Sequence, residues 1–279
     1  MFRATVRNSI RPFALVSIET RSGCNYDCSF CPVSRSVDPR APGEMSYELL
    51  QKIAAELSDL RFSGMICLFG NNEPLLDERM PGLVRMFSSE CPQSKVRILT
   101  NGTYVSVPLV TELFEAGLAR LTINNYTDGQ RLIAPVRSLV RAAGQLFPFD
   151  IRVSVRSRVE VLTTRAGTAP NKQVPAFTPT GFCGLPFTDI YVSYTGAVNL
   201  CSFDAYGQVP MGNVTDLPLM SIWQSEGFQH YRDNLLRSVR AGLTLCQNCD
   251  YDGFRNPDDR LKVPLIRQDL EIRLEQQLG

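Results

Sequence analysis

The sequence has almost no histidine and no long apolar run. His230 is the only histidine among 279 residues, which excludes the zinc sites that need two or three imidazole ligands. No apolar stretch has the length of a transmembrane helix. Three arginines in the first eleven residues are followed by no apolar signal core, so a secretory signal is not expected. These absences predict a cytoplasmic protein without a membrane segment.

The sequence also lacks an excess of charge of either sign. Lys and Arg number 29 and Asp and Glu number 28, which gives a formal net charge of +1. A nucleic-acid-binding protein normally needs a basic excess to hold the phosphate backbone. The hydrophobic fraction of 44% is that of an ordinary globular protein. We therefore expect a soluble globular protein that does not bind nucleic acid.

Cysteine, in contrast, is abundant, with nine residues. An odd count in a cytosolic protein argues against a disulfide framework and favours metal binding. With a single histidine present, the ligands must be mainly thiolates. The cysteines form an N-terminal group of three, a C-terminal set of four and two isolated residues, Cys67 and Cys91. Two metal sites are predicted.

The first 160 residues alternate between strand and helix patterns. Such alternation predicts βα units around a parallel sheet. Five or six units are fewer than the eight of a closed barrel, so the predicted fold is α/β, a partial (β/α)6 TIM-like barrel with its active site at the carboxyl ends of the strands. The predicted strands are 13–20, 64–70, 95–100, 121–124 and 151–158, and the predicted helices are 46–60 and segments near 78–89, 106–117 and 130–146.

The pattern changes after residue 167. Residues 167–181 are rich in Thr, Pro, Gly and Asn, which is typical of a linker. Residues 189–201 alternate around Thr195-Gly196 and predict a β-hairpin, followed by helical segments near 218–240. We expect a barrel over 1–170, a small C-terminal hairpin and helix domain with a metal site over 171–255, and an amphipathic tail helix within 256–279.

The N-terminal group consists of Cys24, Cys28 and Cys31, between Gly23 and Pro32. Their spacing also suits one buried face of a helix, but the flanking residues and the preceding strand favour a loop. Three thiolates can hold three irons of a cubic 4Fe-4S cluster, whereas an electron-transfer cluster normally has four protein ligands. The fourth iron would then be open to a substrate or cofactor.

This three-cysteine loop resembles that of the radical S-adenosylmethionine (SAM) superfamily. The resemblance implies that SAM binds the open iron through its amino and carboxylate groups. One electron from the cluster then splits SAM and yields a 5′-deoxyadenosyl radical. The implied cofactors of the whole chain are SAM and two 4Fe-4S clusters, reduced by a flavodoxin or ferredoxin. Phe30 occupies the position of the aromatic residue that lies against the adenine.

Two further segments resemble the SAM-binding motifs of the superfamily. Residues 70–76 are similar to its glycine-glycine-glutamate-proline segment, with Asn71 and Asn72 in place of the glycines and Glu73 as the acid. Asn tolerates left-handed backbone better than most residues, so we expect the turn to survive, although a plain turn is the alternative. Asn101 lies in a similar segment after the third strand.

Ser154 and Arg156 share one face of the predicted fifth strand. In the resembling enzymes, polar residues at the ends of strands four and five hold the carboxylate and ribose of the cofactor, which makes these two the candidates here. The competing interpretation is that they are solvated edge residues.

The C-terminal set consists of Cys183, Cys201, Cys246 and Cys249. Its spacing resembles a shortened auxiliary-cluster module, called a twitch domain and related to the SPASM domain. Four protein ligands leave no open iron, so this second 4Fe-4S cluster should transfer electrons. A structural zinc ion is the alternative.

Among enzymes with this pair of domains, the chain most resembles the dehydrogenases of aminoglycoside antibiotic biosynthesis, over about residues 13 to 255. In these oxidoreductases an Arg-Gly-Gly segment places its arginine near the substrate hydroxyl. Arg165-Ala166-Gly167 is the matching segment here. The resemblance implies oxidation of a secondary alcohol of a cyclitol, aminosugar or related polyol to a ketone, with Arg165 near the substrate or, alternatively, an exposed linker residue.

Three other activities remain open on the sequence. An epimerase would need a thiol to return a hydrogen atom, and Cys67 in the second strand is the candidate donor, although a buried structural role is its default. Cys91 lies at the opposite end of the barrel and is expected to be structural. Ribosomal-peptide maturation belongs to the same superfamily. A zinc-containing binding module is the alternative outside enzymes.

Overall fold

The computed structural model describes residues 12–129, 131–177 and 180–251. Its strands form one eight-stranded sheet. The strands are β1 (Leu15–Ile18), β2 (Met65–Cys67), β3 (Lys95–Thr100), β4 (Arg120–Tyr126), β5 (Ile151–Arg156), β6 (Asp189–Val192), β7 (Ala197–Asn199) and β8 (Pro210–Asn213).

The spatial order of the sheet is β5-β4-β3-β2-β1-β6-β7-β8. Neighbouring strands from β5 to β6 pair in parallel, and β7 and β8 continue the sheet in antiparallel pairing. Six parallel strands with intervening helices are the partial (β/α)6 barrel that the sequence predicts, and this prediction is confirmed.

The helices form where the sequence carries apolar residues at helical spacing and a capping residue. In the first helix, Ser46 is the N-cap and its side chain accepts a hydrogen bond from the Leu49 N–H. The buried face of this helix contains Leu50, Ile53 and Leu57. The helices are α1 (Tyr47–Asp59), α2 (Met80–Glu90), α3 (Val107–Glu115), α4 (Ala134–Arg141), α5 (Leu185–Thr188), α6 (Leu219–Trp223) and α7 (Glu226–Leu236).

The two faces of the parallel sheet have different chemistry. Val16 and Ile66 are fully buried in the hydrophobic core between sheet and helices. The alternate residues Ser17, Cys67 and Arg97 line a cavity of about 400 Å³ inside the barrel, because side chains alternate across a strand. The interior of the barrel is therefore more polar than the layer between sheet and helices.

Several predicted elements are shorter in the structure, among them the strands 13–20 and 64–70, which are observed as Leu15–Ile18 and Met65–Cys67. β5 ends at Arg156 rather than at 158, because the chain turns where Ser157 N–H donates to Glu160 Oε1 at 3.0 Å. The helix predicted near 130–146 is α4 followed by a separate 3-10 turn, Ala143–Leu146, where Gly144 has a low helix propensity.

The predicted hairpin forms, with β6 and β7 antiparallel around the Thr195-Gly196 turn. Its first strand also pairs in parallel with β1, since Leu15 lies opposite Asp189. The sheet therefore continues across the predicted domain boundary at residue 170, and the boundaries themselves stay predictions. The tail helix predicted within 256–279 lies outside the described residues.

No helix within the described part of the chain is both long enough and apolar enough to span a membrane.

Candidate active site

The N-terminal cysteines lie in an irregular loop after β1, without helical structure. Their thiols are close enough to influence one another. Burial, together with Cys31 and Cys24, raises the pKa of Cys28 to about 12, and burial raises the pKa of Cys24 to about 11. As thiolates, these neighbouring sulfurs would repel one another. A bound metal would supply the positive charge that offsets this repulsion.

Backbone contacts hold this loop over the carboxyl ends of the strands. Ser29 N–H donates to the Arg158 carbonyl at 2.9 Å, just beyond β5. Glu73 N–H donates to the Gly23 carbonyl at 2.9 Å, just beyond β2. On the other side, the Tyr206 hydroxyl donates to the Pro32 carbonyl at 2.9 Å. The loop is thus fixed where a barrel enzyme carries its chemistry.

Among the residues that the structure describes, no three His, Cys, Asp or Glu side chains are arranged to hold a single metal ion. In an Fe-S cluster each thiolate binds a different iron, so the sulfurs stand around a larger group. A set of three neighbouring thiols after β1 has the donor chemistry for a cubic cluster with one iron free of protein ligands.

Asn71 connects three parts of the site. Its backbone N–H and its Nδ2 both donate to the Tyr191 hydroxyl at 3.1 Å, and Nδ2 also donates to the Ser202 carbonyl at 3.2 Å. Its Oδ1 accepts a hydrogen bond from the Arg165 guanidinium. Asn71 therefore links the end of β2 to β6, to the residue after Cys201 and to Arg165.

The backbone at Asn71 and Asn72 does not have the positive φ for which Asn was expected to be tolerated. The turn therefore forms without left-handed backbone at these two positions. Asn72 Oδ1 accepts from the Gly70 N–H at 2.9 Å. Asn72 Nδ2 is buried and has no partner within the described residues, which leaves a donor for a cofactor oxygen beside the cysteine loop.

Glu73 is 1% exposed and ties the ends of two strands together. Its carboxylate accepts from the Leu75 N–H at 3.0 Å, the Thr100 hydroxyl at 2.6 Å and the Asn101 N–H at 2.7 Å. Burial raises the pKa of Glu73, and these donors oppose the rise. A carboxylate has about four acceptor positions, so these three hydrogen bonds leave Glu73 one position for a further donor.

Asn101 contacts the cysteine loop directly. Its Nδ2 donates to Asn25 Oδ1 at 2.7 Å and lies 3.8 Å from Cys24 Sγ. An N–H directed at a cluster sulfur stabilises negative charge on it and raises the reduction potential. Asn101 thus contacts the cysteine loop, and its role toward the cofactor stays a prediction.

Phe30 forms part of an aromatic wall. Its ring centroid lies 5.6 Å from that of Tyr126, and the Arg156 guanidinium lies 6.0 Å from the Tyr126 ring. Burial raises the pKa of Tyr126 to about 12, with Cys28 and Cys31 among the groups near it. The wall therefore borders the cysteine loop, as an adenine contact requires.

Ser154 and Arg156 have partners within the protein. The Ser154 hydroxyl donates to Asn124 Oδ1 at 2.7 Å, and Arg156 pairs with Glu160 at 2.5 Å. Ser154 is exposed, and Arg156 is half-buried. Their role as cofactor ligands stays a prediction.

Arg165 lies between the two cysteine groups. Its side chain lines the barrel cavity and its guanidinium lies 5.1 Å from the Phe203 ring. Burial raises the pKa of Cys31, and the Arg165 charge opposes that rise. The backbone of Ala166 lies close enough to the Cys249 sulfur to oppose the rise that burial causes in its pKa. Adjacent residues thus contact both cysteine groups.

The backbone at this point is strained. Arg165 and Ala166 have φ values of 49° and 55°, followed by Gly167 at 91°. Left-handed backbone costs a non-glycine residue about 1–2 kcal/mol. Arg165 Nε is buried and has no partner in the described part of the chain. Backbone strain of this kind occurs often at functional sites.

The four C-terminal cysteines come together in space. Burial raises the pKa of Cys201 well above its usual value, and Cys246, Cys183 and Cys249 raise it further. Burial, with Cys183 and Cys249, raises the pKa of Cys246 to about 12. Four mutually close thiols are the donor set for a second, fully ligated cluster.

Sequence reasoning missed Arg240, which organises this second group. The side chain is 3% exposed and donates to four backbone carbonyls around Cys183 and Cys249. The acceptors are the carbonyls of Gly181 (3.1 Å), Phe182 (3.2 Å), Cys249 (3.0 Å) and Tyr251 (2.8 Å). No local pattern marks such a residue, because its acceptors lie 9 to 59 positions away.

Glu19 was also missed. It directly follows β1, is fully buried, and accepts from Arg40 Nη1 at 2.8 Å. Burial raises its pKa to about 7, and the Arg40 charge opposes the rise. The signal in the sequence that could have pointed to Glu19 is an acidic residue at the end of a mainly apolar strand.

The two isolated cysteines differ. Cys67 lines the barrel cavity. Its thiol therefore faces the barrel interior, where the hydrogen donor of an epimerase would have to lie. Cys91 is buried against α1, with Sγ 3.7 Å from the Ala54 carbonyl. Its contacts fit the structural role expected of it.

Comparison with known proteins agrees with both cysteine groups. Residues 18–139 match the family model of the radical SAM superfamily, and residues 183–250 match that of an iron-sulfur cluster-binding domain, SPASM. An S-adenosyl-L-methionine-dependent 2-deoxy-scyllo-inosamine dehydrogenase from Niallia circulans is 26% identical over 239 residues, which cover 85% of this chain and 93% of the relative.

Solved structures show the same fold. The crystal structure of BtrN in complex with AdoMet and 2-DOIA is 27% identical, with a TM-score of 0.75, and the match covers 86% of this chain and 94% of that one. A structure of anSMEcpe with bound AdoMet is 13% identical with a TM-score of 0.59 over 88% of each chain, and shows the fold alone. The cysteine loop, the barrel and these matches together relate residues 18–139 to the radical SAM superfamily and residues 183–250 to the SPASM domain.

Proposed function

We propose that the protein oxidises a secondary alcohol of a cyclitol, aminosugar or related polyol to a ketone. When bound, SAM and the N-terminal 4Fe-4S cluster supply a 5′-deoxyadenosyl radical that removes the hydrogen atom from the alcohol carbon. Cys24, Cys28 and Cys31 would hold that cluster, and Cys183, Cys201, Cys246 and Cys249 the second one. The proposal extends to this chain the activity named for its Niallia circulans relative.

The observation that carries the proposal is that one cavity borders both cysteine groups. Its lining includes Arg165, beside Cys31, and Ser202, which follows Cys201. Oxidation requires a second electron to leave the substrate after the hydrogen atom has gone. A substrate in this cavity lies next to the second group, which can accept that electron.

Arg165 would hold the substrate oxygen. Its guanidinium has donors left after the bond to Asn71, since Nε has no partner among the described residues. A fixed cation beside a hydroxyl stabilises the oxygen as its proton leaves. Phe203 covers one side of the guanidinium, so Asn71 and Phe203 fix its direction.

Aromatic side chains near the site would help to keep water away from the reacting carbon. Phe30 and Tyr126 pack together on one side, and Tyr191 is 2% exposed on the other. Exclusion of solvent prevents quenching of a reactive species. We assign Phe30, Asn72, Glu73, Asn101, Ser154 and Arg156 to binding of SAM.

We further propose that a flavodoxin or ferredoxin reduces the protein in the cytoplasm. No two of the nine cysteines form a disulfide bond in the structure. A reducing compartment maintains thiols in this state and is compatible with reduced Fe-S clusters.

The test is anaerobic turnover of the enzyme with both clusters assembled, using candidate polyols and following release of 5′-deoxyadenosine. Oxidation predicts a product two mass units lighter than the substrate. A product with the mass of the substrate in ordinary water, and with one deuterium gained in heavy water, would instead indicate epimerisation and contradict the proposal.

Epimerisation is retained as the second candidate because Cys67 lines the cavity. Cys67→Ala should leave oxidation intact, whereas a thiol-dependent epimerisation would stop after the hydrogen has been removed. Cys91→Ala is the matched control, since it removes a buried thiol outside the cavity.

A further inference from the structure

The deep part of the barrel cavity is rich in arginine. Arg97 on β3 and Arg120 on β4 line it. Burial lowers the pKa of Arg97; Arg120 and Arg152 on β5 add to the fall, and Cys67 and Asp150 oppose it. Asp150 is shared by Arg120 at 2.6 Å and Arg152 at 3.1 Å. One carboxylate thus serves two of the three arginines.

Arg97 has no ion pair or side-chain hydrogen bond within the described residues, and its Nε is buried and unpartnered. Asp189 also lines the cavity, but it has an interaction of its own. Arg97 is half-buried, and a guanidinium at such a position without an ion pair favours an anion as its partner. We therefore expect the partner of Arg97 to be an anionic group of a bound ligand.

The position of Arg97 suits the far end of a bound substrate. It precedes Thr100, the last residue of β3, by three positions, which corresponds to about 10 Å along a strand. Arg165 lies at the upper end of the same cavity, beside Asn71. A span of this order accommodates one sugar or cyclitol ring with a substituent.

We propose that Arg97 anchors an anion subsite inside the barrel, and that the substrate carries an acidic group, a carboxylate or a phosphate, on the side of the ring away from the oxidised carbon. This inference rests on the proposed function, because it assumes that the alcohol lies at Arg165. Guanidinium groups match the planar oxygen pairs of carboxylates and phosphates. An ammonium group, such as that of an inosamine, would be repelled at this point.

The test is anaerobic calorimetric titration of the enzyme with both clusters and SAM bound, in the oxidised state, so that no turnover occurs. The probes are D-glucuronate, D-glucose 6-phosphate and neutral D-glucose. We expect at least one acidic probe to bind ten times or more tightly than glucose, and the comparison of the two acids identifies the preferred group.

Arg97→Met should remove most of this preference, and Arg97→Lys should retain part of it because the charge remains. Arg141→Met, at an exposed position in the last turn of α4, is the matched control and should bind like the original protein. SAM cleavage without substrate, measured in each variant, shows whether the radical site is intact.

Equal affinity for acidic and neutral probes would overturn the subsite and leave the proposed oxidation untouched. An unchanged preference in Arg97→Met would also overturn it. A clear acid preference in a protein that oxidises no polyol would overturn the proposed function but not the subsite.

Discussion

Asn71→Gly, which restores the residue usual in the superfamily, should destabilise this protein. The substitution removes two neutral side-chain hydrogen bonds, to Tyr191 and the Ser202 carbonyl, and one accepted from the Arg165 guanidinium. At about 1 kcal/mol for each neutral bond and about 2 kcal/mol for the charged one, the loss is about 4 kcal/mol. Glycine gives no conformational gain, since φ at this position is not positive.

A loss of this size corresponds to a fall in melting temperature of roughly 8–16 °C for a chain of this length. The assay is anaerobic thermal unfolding of the cluster-containing protein, followed by circular dichroism. Asn72→Gly is the matched control, because it removes only one accepted hydrogen bond and should cost about 1 kcal/mol. A melting temperature of Asn71→Gly within 3 °C of the original, or equal falls in both variants, would refute the reasoning.

Three further predictions concern residues that the structure singles out. Arg165→Met should lower kcat/KM about 10- to 150-fold through loss of a charge-assisted bond of ~1.5–3 kcal/mol, with iron content unchanged; an unaltered kcat/KM would remove Arg165 from the site. Arg240→Met should halve the iron content by loosening the loops of Cys183 and Cys249, whereas Arg237→Met, an exposed neighbour in sequence, should keep it; full iron in both would contradict this role. Because burial raises the pKa of Glu19 from 4.5 to about 7, the folded carboxyl retains a proton that the unfolded chain releases, so the free energy of unfolding should fall by up to about 3 kcal/mol as pH rises through this range. Glu19→Gln should lack that decline, and identical pH profiles of unfolding would show that Glu19 does not titrate there.

The sequence was sufficient for the architecture because its signals are local. Alternating strand and helix patterns located the five parallel strands before residue 160, and the Thr195-Gly196 turn located the hairpin. Cysteine spacing separated the two candidate cluster sites. Each of these features is contained within a short segment, where periodicity and turn chemistry determine the structure.

Long-range contacts could not be predicted in this way. The pairing of β6 with β1 joins residues about 170 positions apart, so the hairpin looked like part of a separate domain. Asn71 looked like a turn residue, although its side chain bridges β6, Arg165 and the backbone after Cys201. The roles of Arg240 and Arg97 depend on which groups surround them, and sequence position does not reveal that.

Mössbauer spectroscopy of the anaerobically purified, ⁵⁷Fe-labelled protein, with and without SAM, tests the central claim most directly. The account predicts two 4Fe-4S clusters per chain and a changed signal from a single iron when SAM is added, because only the N-terminal trio leaves an iron without a cysteine. Zinc in place of iron at the trio, or a spectrum that SAM leaves unchanged, would contradict it.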